Sequence, residues 1–150
     1  MSKLTKTLKA IKTEWMIPVR ESQLMMNEHA PLEINATPTV VHRDCGMRYF
    51  NMSNEELNKF REAVQMDINE FSDEERLVEI ADALGDEMFL LWQRIISYGL
   101  YDVFGDILEE ILESNKTKLI GDRLKFNSEG KVLKPETYRK PNLRKVIFDK

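Results

Sequence analysis

The chain has 150 residues, 42% of them hydrophobic and 32% charged, and a formal net charge of −4. That length suits one domain with a core of its own, and the single cysteine, Cys45, excludes an internal disulfide framework and fits a reducing cytoplasm. The longest apolar run, Met88 to Trp92, falls far short of the ~20 residues that span a bilayer, so no membrane segment is expected.

The opening MSKLTKTLKAIK lacks an apolar core segment and a small-residue cleavage site, so no secretory signal is expected. Leu4, Leu8, Ile11 and Trp15 instead recur at helical spacing beside Lys3, Lys6, Lys9 and Lys12, which predicts an amphipathic helix over 1–17. Pro18 interrupts it, and a short second helix is expected over 19–27. Residues 30–41, with Pro31 and Pro38 and no helical period, read as a loop. A third helix is expected over about 44–64, with Met47, Phe50, Leu57, Phe60 and Val64 inward. The strongest element follows: Ser72 and Glu75 form a capping box, and Leu77, Ile80, Leu84, Met88, Leu91, Trp92 and Ile95 form a broad apolar face. Gly99 closes that helix as its C′ residue. Another helix is expected over about 102–114. RLKF and KVLK, on either side of Asn127-Ser128-Glu129-Gly130, read as a short hairpin or extended arm, and Pro135 and Pro141 as helix breakers. The fold class expected is all-α: a four- to five-helix bundle forming a single domain over 1–150, with a basic, partly extended tail over 115–150.

Charge is distributed unevenly. Residues 14–114 hold 22 acidic and 7 basic side chains, whereas 115–150 hold 4 acidic and 11 basic ones. Glu79, Asp82 and Asp86 lie within roughly 60° of arc on one helix face, and the preceding helix offers Glu55, Glu56 and Glu62. Carboxylates stacked in this way repel one another unless a cation sits between them, and an all-oxygen set suits Mg²⁺ or Mn²⁺. The plain alternative is a solvated acidic face. His29 and His42 have no ligand spacing and read as surface residues. Trp92 reads as core.

The segments VEIADALGDEMFLLWQRIISYGL, VFGDILEEILESNKTKL and GKVLKPETYRKPNL resemble the MazG-like branch of the all-α nucleoside triphosphate pyrophosphohydrolases, a superfamily that includes phosphoribosyl-ATP pyrophosphohydrolase and the dimeric dUTPases. The resemblance covers about 47–143, with weaker echoes in 19–41. Glu79-Ile80-Ala81-Asp82 matches the family's ExxD motif, and Ser114-Asn115 with Lys118-Leu119 matches its SNxxKL stretch. Its EExxE motif falls on Glu55-Glu56-Leu57-Asn58-Lys59, where Lys59 stands in place of a metal-binding glutamate. Glu62 lies on nearly the same face and is a partial substitute.

The resemblance implies hydrolysis of a nucleoside triphosphate between its α and β phosphates, giving the monophosphate and pyrophosphate in nucleotide-pool house-cleaning. Glu56, Glu79 and Asp82 would hold the metal, Glu55 would position or deprotonate the attacking water, and Asn115 and Lys118 would contact substrate. Lys59, Glu62 and Asp86 carry no settled role. A homodimer or a dimer of dimers is expected, with no nucleic-acid partner, since no basic-aromatic motif is present. The alternative, prompted by Lys59, is a catalytically weakened or non-catalytic helical module for nucleotide binding or interaction.

Overall fold

The structure, a computed structural model, describes Glu21 and residues 34–149. The helices expected over 1–17 and 19–27 therefore lie outside the described residues, apart from Glu21. Among the described residues there are four α-helices and no β-strand, so the architecture is all-α. None of these helices is long and apolar enough to cross a membrane. The described residues fall into two compact units, 34–101 and 102–149.

In the first unit, α1 (Arg43–Gln65) and α2 (Asp73–Ser97) pack against each other. They run antiparallel. Tyr49 near the start of α1 meets Ser97 at the end of α2, with 2.7 Å between hydroxyl oxygens, while Lys59 further along α1 reaches Asp86. The α2 start is set by the expected capping box: Ser72 Oγ accepts from the Glu75 N–H at 3.2 Å, and Glu75 Oε2 accepts from the Ser72 N–H at 2.8 Å. Its end is a Schellman turn in which the N–H groups of Gly99 and Leu100 donate to the carbonyls of Ile96 and Ile95, both at 3.0 Å. Gly99 has φ +66°, so the residue that the sequence marks as C′ takes the left-handed conformation that glycine tolerates best. The segment before α1 closes over this turn: Asn35 Nδ2 donates to the Ser97 carbonyl at 2.7 Å and the Thr39 N–H to the Tyr98 carbonyl at 3.0 Å.

The inward face of α1 differs from the one expected. Met47, Phe50, Leu57 and Val64 are each 46–54% exposed and only Phe60 of the expected set is half-buried, while the face turned inward carries Tyr49, Ser53, Glu56 and Ala63. Polar side chains occupy buried positions there, so the apolar period points to the neighbouring face of the helix. On α2 the broad apolar face divides. Leu90, Trp92, Ile95 and Ile96 near its end are buried, whereas Leu77, Leu84 and Met88 are exposed.

The second unit holds α3 (Phe104–Lys116) and α4 (Leu143–Phe148). Pro141 does not keep the chain end from being helical. It precedes Asn142, whose side chain caps α4 by accepting from the Lys145 N–H at 3.2 Å. Glu110 on α3 accepts from the Asn142 N–H at 2.6 Å and from the Arg139 guanidinium, which ties the two helices together. The hairpin expected around 127–130 is present as a turn with one isolated antiparallel bridge, Phe126 to Val132. Asn127 Oδ1 holds the turn by accepting from the Glu129 and Lys131 N–H groups at 3.0 and 2.9 Å.

Candidate functional site

The site grows from the inward face of α1. Tyr49, Ser53, Glu56 and Ala63 follow one another at spacings of four, three and seven residues, the repeat of a face packed against a second helix. Tyr49 is 1% exposed, and burial pushes its hydroxyl pKa up, with the bond to Ser97 working against that rise. One and two turns further along, Ser53 Oγ and Glu56 Oε2 are buried without a hydrogen-bond partner among the described residues. Native proteins satisfy nearly all buried polar atoms, and leaving one unmet costs roughly 1–3 kcal/mol. Two such oxygens on one helix face mark a place that a water, an ion or a ligand completes.

Glu56 is 8% exposed, and its other oxygen, Oε1, accepts from Lys59 Nζ at 2.9 Å. The same ammonium lies 3.9 Å from Asp86 Oδ2 on α2. The bond to Glu56 is the largest influence raising the Lys59 pKa; partial desolvation opposes it, and the charges of Glu56, Asp86 and Glu55 add to it. Lys59 is therefore held charged and bridges carboxylates from both helices. Beside it, a cavity of about 210 Å³ is lined by Lys59, Glu62 and Ala63 of α1, by Met66 just past its end, and by Glu79, Asp82 and Ala83 of α2.

The structure thus gathers Glu56, Lys59 and Asp86 into one ionic bridge, and Lys59, Glu62, Glu79 and Asp82 around one cavity. Glu55 is exposed, close enough to add to the field at Lys59. Asn115 and Lys118 lie at the end of α3, in the second unit, where Lys118 Nζ donates to Asn115 Oδ1 at 2.7 Å. His42 is exposed and serves as N-cap of α1, its Nδ1 accepting from the Asp44 N–H at 3.3 Å.

Among the described residues no three His, Cys, Asp or Glu side chains converge on a point where a metal ion would sit. The donor chemistry nevertheless suits a hard divalent cation, because the cavity wall is carboxylate-rich and Glu56 keeps one oxygen unmet. Glu79 and Asp82 are exposed.

For two of the residues named from the sequence, the role was not legible there. Asp86 gains its place only through the register of α1 against α2. Ser114, which the motif presents as a neighbour of Asn115, is a structural clamp: it is 2% exposed and its hydroxyl donates to the Arg139 carbonyl at 2.7 Å. Compared with models of known protein families and with curated protein sequences, the chain matches none.

Proposed function

We propose that the chain is a Mg²⁺- or Mn²⁺-dependent nucleoside triphosphate pyrophosphohydrolase of the MazG-like kind, cleaving the α–β phosphoanhydride to give a nucleoside monophosphate and pyrophosphate. One observation carries the reading: Glu56 is buried with an oxygen unmet among the described residues, on the α1 face packed against the helix that presents Glu79 and Asp82. Glu56, Glu79 and Asp82 would hold the cation, which when bound supplies charge neutralisation at the phosphoryl oxygens and an acidified water. On this reading Glu55 would position or deprotonate the attacking water, and Asn115 and Lys118 would contact phosphate, Lys118 as a point charge. Lys59 neutralises Glu56 and Asp86, which lowers the repulsion that a polyanionic substrate meets and takes the place of one cation. The same reading takes the helices as a four- to five-helix bundle with a basic tail, working in the cytoplasm as a homodimer or dimer of dimers on the nucleotide pool.

A second reading, a non-catalytic helical module for nucleotide binding or interaction, is favoured by the Lys59–Glu56 pair, which engages one carboxylate oxygen that a metal would need. Pyrophosphate release from a panel of canonical and modified nucleoside triphosphates with Mg²⁺ or Mn²⁺ separates the two. The enzyme reading expects release from at least one nucleotide and its loss in Asp82→Asn and Glu79→Gln. A folded wild-type chain inert across the panel overturns it.

A further inference from the structure

In the second unit, two lysines sixteen residues apart converge on one ring. Lys118 Nζ lies 5.7 Å and Lys134 Nζ 5.0 Å from the centre of Tyr138. This convergence is built. The Ser114 hydroxyl and the Thr117 side chain fasten Arg139 to the end of α3, the first donating to its carbonyl at 2.7 Å and the second accepting from its N–H at 2.9 Å. Tyr138, next in the chain, is thereby fixed beside Lys118. The Tyr138 N–H donates to the Pro135 carbonyl at 2.9 Å, a tight turn that brings Lys134 back to the same ring.

A tyrosine face stabilises one ammonium by cation–π attraction. A second ammonium on the same ring adds repulsion between like charges, and among the described residues neither lysine pairs with a carboxylate. Lys125, Lys140 and Lys145 likewise have none among the described residues, so what sets this pair apart is that its two ammoniums are gathered on one ring. The end of α3 attracts positive charge, which accounts for Lys118 but not for Lys134, delivered from a turn sixteen residues on. An anion with several charges, long enough to meet both ammoniums, resolves the repulsion.

We infer that Lys134 and Tyr138 join Lys118 and Asn115 in a binding site for a chain of linked phosphates. This rests on the proposed reading only for the role of Lys118 toward phosphate. A phosphoanhydride chain is the occupant that fits, because its charges lie close enough together to meet two ammoniums gathered on one ring.

The test is a titration of the full chain with inorganic pyrophosphate, without divalent metal and at low ionic strength, followed by amide chemical shifts. Saturable shifts confined to residues 115–118 and 134–138 are expected. Lys134→Met should weaken binding about tenfold, as loss of one charge-assisted contact does, and Lys134→Arg should restore most of it. Tyr138→Leu should also weaken it, since the lysines lose the ring that gathers them. Undiminished binding by Lys134→Met overturns the inference, as does equal binding of a nucleoside monophosphate or tighter binding of a single-stranded oligonucleotide at equal phosphate concentration. Because neither metal nor turnover enters, pyrophosphate binding and nucleotide hydrolysis can fail independently of each other.

Discussion

Replacing Gly99 by alanine strikes the end of α2 and the segment before α1 together. Gly99 sits at φ +66°, where an L-residue with a Cβ pays roughly 1–2 kcal/mol. The new Cβ would also fall 1.9 Å from the Thr37 carbonyl oxygen and 2.4 Å from its carbon, a backbone obstacle that cannot rotate aside. Relief requires residues 35–39 to move away, which gives up the Asn35 bond to Ser97 and the Thr39 bond to Tyr98. At about 1 kcal/mol for each bond, the loss is about 3–4 kcal/mol in all, or on the order of 10 °C in Tm for a chain of this size. Urea unfolding followed by far-UV circular dichroism measures it. Gly85→Ala is the control: that glycine is inside α2 with nothing within 4 Å of a new Cβ, so alanine should stabilise by about 0.5–1 kcal/mol. A Gly99→Ala loss below about 1 kcal/mol would refute the reasoning, because the left-handed penalty alone accounts for that much.

Lys59→Glu should tighten Mn²⁺ binding by about tenfold or more in titration calorimetry, since it removes a resident ammonium and adds a carboxylate; weaker binding would mean that Lys59 itself serves the ligand. Stability should fall in acid. Hydrogen bonds from Arg139 and from the Asn142 N–H hold the Glu110 carboxyl below its ordinary value of 4.5, so its contribution is complete above that value and is lost as pH drops through the lowered one. In Glu110→Gln, denaturant midpoints measured from pH 6 downward should fall less steeply with acid. An unchanged slope would remove Glu110 from the cause.

Local signals were legible in the sequence because their partners lie within a turn or two. The Ser72–Glu75 box and the Gly99 cap set both ends of α2, and each depends on residues no more than five positions apart. The inward face of α1 was not legible: a hydrophobic period selects Met47, Phe50, Leu57 and Val64, and the packed face instead carries Ser53 and Glu56. Buried polar groups break the pattern where a site sits, so this mismatch itself points to the candidate site. Pro141 reads as a helix breaker in the sequence, yet a proline outside the N-cap leaves the next helix intact, and Asn142 starts one. Asp86 beside Lys59, and Lys134 and Lys118 on Tyr138, depend on helix register and on the clamp from Ser114, contacts that spacing along the chain does not encode.

The bond that is broken gives the most direct test of the proposed chemistry. Phosphorus NMR of each nucleoside triphosphate incubated with the chain and Mg²⁺ should show monophosphate and pyrophosphate appearing in equal amounts, and neither appearing with Asp82→Asn. Diphosphate with orthophosphate would contradict α–β cleavage, and unchanged triphosphates throughout would contradict hydrolysis itself.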